Sequence, residues 1–285
     1  MISFVILHYK NIDDTVECIK SIYKLDTDKK ISIVIVCNSV LSDSDFDLLN
    51  SYSIDFVNLN ENVGFARGNN AGCEFAIKKY NPDFLCVINN DTVIEQSDFI
   101  DKIYKCYDET SFDMMGPRII TDGGDSVNPF PVYKSIHEID EKIRYSNKLI
   151  KIYGNVFLRF LLSLYLNIKH FFKKPSHLIN GSKSQYGVAL HGCALVFSRK
   201  YYEKYKFVFY PGTFLYHEEE FLYFRMKRDG LVSYYNSDLE IFHKEGSSLN
   251  LAFKNQNYKK LIFKNKEIVR SLTLLKEVIV SGRED

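Results

Sequence analysis

Tryptophan is absent from this chain of 285 residues, and so is any C-x-x-C pair. The six cysteines, Cys18, Cys37, Cys73, Cys86, Cys106 and Cys193, lie far apart and mostly inside apolar runs. Such spacing argues against zinc knuckles and dithiol redox chemistry and for buried free thiols in a reducing compartment. An excess of charge is missing too. A net charge of +1 at pH 7 gives no basic face of the kind that nucleic-acid binding needs. No apolar run reaches the roughly 20 residues of a membrane span. The first residues, Met1 to Leu7, are apolar but have neither a basic n-region nor a small-residue cleavage site, so they read as a strand. The absences leave a cytoplasmic globular protein with no nucleic-acid partner.

What is there is ordinary in bulk: 46% apolar and 26% charged residues, with length enough for an ample core. The 20 tyrosines and 22 phenylalanines are aromatic stock for a sugar or base pocket, although most such rings simply fill cores.

Over the first 120 residues strand and helix patterns alternate. Continuous apolar runs at Ile2–Leu7, Ile31–Val36, Phe56–Leu59 and Phe84–Ile88 predict strands buried on both faces. Helical stripes lie between them: Asn11–Leu25, with Asp13 and Asp14 in its first turn, Phe65–Tyr80, and Ser97–Tyr107 capped by Ser97. The alternation specifies an α/β fold, a Rossmann-like and mostly parallel sheet with helices on both faces and ligands at its carboxyl edge. Residues 121–185 break the pattern with the turn Asp122-Gly123-Gly124-Asp125 and with Pro129, Pro131 and Pro175. The apolar stretch Val156–Phe172, flanked by Arg159, Lys169, Lys173 and Lys174, reads equally as a membrane-surface helix or a core helix. Strand-like Ala189–Ser198, helical Glu219–Asp229 and strand-like Val232–His243 follow, and the tail Leu251–Val280 is helical and basic. The expected organisation is a nucleotide-sugar-binding half at 1–120, an acceptor and catalytic half at 121–248 with a variable insert at 121–185, and a helical extension at 249–285. The aromatic-rich tail is a candidate dimer contact.

The most informative run is Asn60–Gly72, NENVGFARGNNAG, between one predicted strand and one predicted helix. A Gly/Asn-rich turn opening a helix gathers unpaired N–H groups at a positive helix end, which suits a bound phosphate. About twenty residues later the strand Phe84–Ile88 runs into Asn89-Asn90-Asp91-Thr92. A carboxylate there, in the same layer as an anion-binding turn, is placed for a metal–diphosphate, and Asp91 is the candidate metal ligand. The two features together predict a nucleotide-sugar site.

These residues resemble glycosyltransferase family 2, and within it the rhamnosyltransferase-like branch that builds bacterial surface polysaccharides. The resemblance covers roughly residues 2–120 and 186–248. Its most specific part is the turn N-x-G-F-A-x-G-N-N-x-G, matched position for position from Asn62 to Gly72. Val5-Ile6-Leu7-His8-Tyr9, Asn89-Asn90-Asp91, and the glycine-led strand Gly192-Cys193-Ala194-Leu195-Val196 also match. The resemblance implies a GT-A fold, an inverting transfer from a UDP- or dTDP-sugar, a divalent cation (Mn²⁺ or Mg²⁺), and a lipid-linked or growing glycan as acceptor. It implies donor contacts at Tyr9, which stacks on the base, and at Asn38, Asn62, Gly64, Arg67, Asn69 and Asn90. It places Gly192 and Cys193 on the acceptor side.

His243, in the setting H-x-x-G-x-S, is implied to reach the metal or the diphosphate, and a neutral imidazole is a better ligand for Mn²⁺ than for Mg²⁺. The other six histidines are assigned no role. The family's E-D-x-D-L-x-x-R pattern, anchored on Leu222 and Arg225, puts Glu218 and Glu219 on its acidic pair. Glu219 is the expected general base, kept ionised at a helix start, with Glu218 as its substitute. Three positions depart from the pattern by carrying neutral side chains where relatives have acids: Cys37, Asn90 and Phe221. They mildly favour an alternative, a non-catalytic relative acting as a nucleotide-sugar-binding or scaffold subunit. A dinucleotide oxidoreductase or a nucleotidyltransferase is the remote third reading, since no G-x-G-x-x-G follows the first strand.

Overall fold

The computed structural model describes residues 1–123, 127–160, 183–244 and 257–283. Its elements in chain order begin β1 (Ile2–His8), α1 (Ile12–Ile22), β2 (Ile31–Cys37), α2 (Asp43–Asn50), β3 (Asp55–Asn58) and α3 (Phe65–Tyr80). They continue with β4 (Phe84–Asn89), β5 (Thr92–Val93), α4 (Phe99–Thr110), β6 (Met114–Ile120) and α5 (Ile136–Gly154). After the insert come β7 (Gln185–Tyr186), β8 (Ala194–Ser198), α6 (Arg199–Lys204), α7 (Glu218–Arg228), β9 (Ser233–His243) and α8 (Asn257–Ser281).

The strands form one sheet in the order β3-β2-β1-β4-β8-β6-β9-β5, with β7 on β9. β3, β2, β1 and β4 pair in parallel, and β6 and β9 run the same way, while β8, β5 and β7 run against them. The mostly parallel sheet expected from the continuous apolar runs is therefore present. Alternate residues of β1 explain those runs: Ile2, Phe4 and Ile6 pack toward α1 and α4, whereas Val5 packs toward α3, α6 and α7. Both faces are covered, so no polar alternation survives. A third cluster joins α5, α7 and α8 through Ile139, Phe221, Ile268, Leu272 and Leu275.

Several expectations shift. Ser97 does not cap α4; Asp98 occupies the N-cap without a side-chain bond, and the Ser97 carbonyl accepts from Asp26 N. The strand expected from Ala189 begins only at Ala194. The short helix α2 was not anticipated: it buries only Leu49, and its start is fixed by Ser42, whose hydroxyl accepts from Asp45 N at 3.1 Å. Of the apolar stretch 156–172, residues 161–172 lie outside the described residues, as do Gly124, Asp125 and 251–256 of the tail. Residues 156–160 are helical and expose Val156 (72%), Phe157 (66%) and Phe160 (58%). Among the described residues no helix is long and apolar enough to cross a membrane.

Candidate active site

The Asn62–Gly72 turn is built differently from the expected cradle of free N–H groups. Val63 N donates to Asn38 Oδ1 (2.9 Å), Gly64 N to Asn62 Oδ1 (3.0 Å) and Phe65 N to the Phe214 carbonyl (2.7 Å). Asn38 also donates through Nδ2 to Asn62 Oδ1 and to the Gly64 carbonyl, so its amide pins the turn to the end of β2. The fixed glycines have steric reasons. Gly64 takes φ +91°, and a Cβ there would stand 2.4 Å from the Phe214 carbonyl oxygen. At Gly72 a Cβ would stand 2.5 Å from both Val36 and Val5, so the glycine is what lets α3 lie close on the sheet. Asn70 clasps Phe209 by two bonds, Nδ2 to its carbonyl (2.8 Å) and Oδ1 from its N–H (2.9 Å). The turn thus welds the amino-terminal part of the sheet to segment 209–214.

The end of β4 delivers Asp91, and β5 carries it to β9 in a register that sets Thr92 opposite His243. His243 Nε2 lies 3.1 Å from Asp91 Oδ1, both side chains being buried, although 152 positions separate them. Burial disfavours the His243 imidazolium, but the Asp91 carboxylate and the Cys193 thiol beside it outweigh that and push its pKa up. Asn90 is buried next to them, its amide N–H groups donating to the Asn11 carbonyl and to Thr15 Oγ1. Thr15 Oγ1 donates to Asn11 O and so accepts from both Asn90 and His8 Nδ1. Burial lowers His8 to about 4, leaving it a neutral structural donor.

Among the described residues no group of three or more His, Cys, Asp or Glu side chains is arranged to hold a metal ion. The donor set present, one carboxylate oxygen and one imidazole nitrogen aimed at each other across the cleft floor, still fits a Mn²⁺- or Mg²⁺-sized cation whose other ligands come from a diphosphate and water. The tail of the H-x-x-G-x-S motif after Lys244 lies outside the described residues.

Glu219 stands in the first turn of α7, and its Oε1 accepts from Gly192 N at 3.1 Å. Gly192 has no room to grow: a Cβ would lie 3.0 Å from that oxygen. Gly192→Ala should push the carboxylate aside by a few tenths of an ångström and lower turnover on the order of tenfold. Donor affinity should be unchanged, a split read from kcat against the donor KM.

Glu218 is buried and its Oε1 has no hydrogen-bond partner; burial, reinforced by the neighbouring Glu219 charge, pushes its carboxyl up to about 8. A carboxyl raised in the folded state contributes stability that is fully present below its ordinary 4.5 and is lost as pH rises through about 8. Glu218→Gln should therefore flatten the decline of the urea midpoint across that window, and a parallel decline in parent and variant would refute it.

The family's second aspartate position, Phe221, faces away from the cleft. It is 1% exposed and stacks on Tyr210 with ring centroids 4.4 Å apart, beneath α8. An acid there would be buried in an apolar cluster, which accounts for its absence. Cys37 is likewise buried at the end of β2, and burial pushes its thiol up to about 11.

A cleft of about 1040 Å³ brings together Tyr9, Asn38, Asn62, Gly64, Asn90, Asp91, Gly192, Cys193, Glu218, Glu219 and His243. Arg67 and Asn69 do not line it. Arg67 donates from Nε to the Pro211 carbonyl (3.0 Å) and borders a separate cavity of about 240 Å³ with Arg270. Asn69 donates back to the Phe65 carbonyl within α3. His191, given no role from sequence, belongs to the cleft. Its Nδ1 accepts from Cys193 N (3.1 Å), and its ring centroid is 5.9 Å from that of His243. Burial opposes both charged forms, yet the His191 ring brings the Cys193 thiol down to about 7. Its position directly before Gly192 was the available signal.

The mostly parallel sheet, flanked by helices and with a cleft at its carboxyl edge, has the architecture of the GT-A fold. The family profile described as glycosyl transferase family 2 matches residues 3–227, and the chain belongs to that family. Over 135 residues it is 30% identical to the low-salt glycan biosynthesis hexosyltransferase Agl10 of Haloferax volcanii, a match covering 46% of this chain and 40% of that protein. The chain thus spans less than half of that relative. The fold is similar to that of S. aureus TarS 1-349 in complex with UDP, with TM-score 0.52 and 13% identity over 93% of this chain and 64% of that one. A second structure of S. aureus TarS 1-349 gives TM-score 0.52 at 11% identity, over 99% of this chain and 92% of that one.

Proposed function

We propose that the protein is an inverting, metal-dependent glycosyltransferase that moves a sugar from a UDP- or dTDP-sugar to a hydroxyl of a lipid-linked or growing glycan during surface-polysaccharide synthesis. The observation that carries this reading is the opposition, in one cleft, of the Asp91–His243 pair and Glu219. Glu219, held through one oxygen by Gly192 N, keeps its second oxygen for the acceptor hydroxyl. It takes the hydroxyl proton as the oxygen attacks the anomeric carbon and the bond to the diphosphate breaks, which inverts that carbon. Asp91 and His243 would hold the cation, which when bound neutralises the charge growing on the leaving diphosphate. Tyr9 is half-buried and lines the cleft, where its ring would stack on a base, and the UDP in the TarS structure supports a uridine donor. Exposed Val156, Phe157 and Phe160, interleaved with Arg159, support peripheral contact with the inner face of a membrane.

The test is a thermal-shift screen of UDP-, dTDP- and GDP-sugars with and without Mn²⁺. A metal-dependent rise with one donor supports transfer and names the donor class. Donor binding with neither transfer nor hydrolysis would favour the non-catalytic reading, and silence toward every donor would overturn both.

A further inference from the structure

The helix that carries Glu219 starts from an uncommon backbone. Tyr216 and His217, the two residues before α7, take left-handed φ angles of +71° and +72°, which residues with a Cβ rarely adopt. His217 is the N-cap of α7, yet its side chain caps no backbone N–H of the first turn, as a Ser, Asp or Asn there would. Its carbonyl accepts from Glu220 N (3.2 Å) and Phe221 N (3.4 Å). Its ring reaches the side chain three residues on, where Nδ1 stands 3.0 Å from Glu220 Oε1. A carboxylate oxygen accepts, so Nδ1 carries the proton and donates. These are the two positions of a capping box, here joined side chain to side chain.

The pair does little for stability. His217 Nε2 and Glu220 Oε2 are both buried without a hydrogen-bond partner, and buried polar atoms left so are costly. Its local effect is to close the first turn of α7 across Glu219, which lies between the two partners and whose Oε1 accepts from Gly192 N at 3.1 Å. All three side chains line the cleft. The backbone on either side is held from outside the turn. The Leu215 carbonyl accepts from Ser271 Oγ of α8 at 3.2 Å, and Phe221 stacks on Tyr210. Between those anchors the His217–Glu220 bond ties the turn to itself.

We propose that His217 is a positioning residue for Glu219: its bond to Glu220 holds the left-handed start of α7 at the angle that brings the Glu219 carboxylate to Gly192 N. The catalytic meaning of that position rests on the sugar-transfer reading, in which Glu219 is the base. The position itself can be read without a substrate.

The Gly192 amide reports it by NMR. His191–Gly192 is the one His–Gly pair of the sequence, so full-length protein labelled with ¹³C-carbonyl histidine and ¹⁵N-glycine gives a single filtered peak, that of the N–H bonded to Glu219. The samples are the parent, His217→Ala, His217→Gly, Glu220→Ala, Glu220→Gln and the double variant His217→Ala/Glu220→Ala, with Glu219→Ala as the reference for a lost bond. The peak should move toward its Glu219→Ala position in both His217 variants and in Glu220→Ala. It should move no further in the double variant, because each change removes the same bond. Glu220→Gln, whose amide oxygen still accepts from Nδ1–H, should leave the peak at its parent position. His217→Gly should melt above His217→Ala, since glycine takes φ +72° without strain, and it carries the comparison if the alanine variant folds poorly. A peak unmoved in His217→Gly and Glu220→Ala but moved in Glu219→Ala would overturn the proposal, as would a Glu220→Gln sample that matches Glu220→Ala. Each sample also goes through the donor thermal-shift screen. Silence toward every donor in folded samples would overturn the transferase reading, an outcome separate from the position of the Gly192 peak.

Discussion

Glu219→Gln should lower turnover roughly a hundredfold or more while leaving donor affinity nearly intact. Glutamine keeps the shape, and its Oε1 can still accept from Gly192 N, so the side chain stays where it is. What it loses is the ability to take a proton. In the proposed reading the donor is held by other residues, Asp91 and His243, which bond to each other and not to Glu219. The loss should therefore fall on kcat and not on the donor KM. Unchanged turnover would move the base elsewhere, and Glu218 is the next carboxylate in the cleft. Its buried position and a carboxyl raised to about 8 leave it mostly protonated at neutral pH, a poor starting state for a base. A surviving activity that rises steeply with pH through that region would mark such a substitution of roles.

Asp91→Ala should weaken metal-dependent donor binding by roughly a hundredfold or more, because it removes the carboxylate on the cleft floor that bonds His243. The clearest readout is a Mn²⁺ titration of donor affinity in parent and variant. Identical curves would remove Asp91 from the site. Alanine also breaks the bond to His243, so the melting temperature must be followed alongside. A fall in stability with the titration unmoved would make the pair a structural tie between β5 and β9, whose Thr92–His243 register it accompanies.

The strands that carry this site were legible because each is buried on both faces and so reads as an unbroken apolar run, as in Ile2–His8 and Phe84–Asn89. The helix α2 was not, since Asp43-Ser44-Asp45-Phe46-Asp47 buries almost nothing and leaves no stripe. The glycines and asparagines of the Asn62–Gly72 turn serve packing and internal bonding. The partners that show this, Asn38, Phe209 and Phe214, stand 24 or more positions away from the residues they hold. Distance in sequence hid His191 in part: Cys193 is two residues on, but His243, whose ring lies 5.9 Å away, is brought to it only by the fold. Phe221 shows the converse. It looked like a damaged active-site position, and the burial of its ring under α8 explains it without reference to chemistry.

The position of α7 between the sheet and α8 sets an order of events during synthesis. The helix that presents Glu218 and Glu219 leaves the ribosome well before residues 257–281, which cover its far side through Phe221. At about 5–20 residues per second, the nascent chain spends several seconds with that apolar face open. The sheet can form in this interval, because its described strands all precede α8, and Leu222 and Met226 already seat one side of α7 on it, but the side carrying Phe221 stays uncovered until α8 arrives. Chains arrested before that point should carry a formed sheet and an α7 whose Phe221 side is open to water.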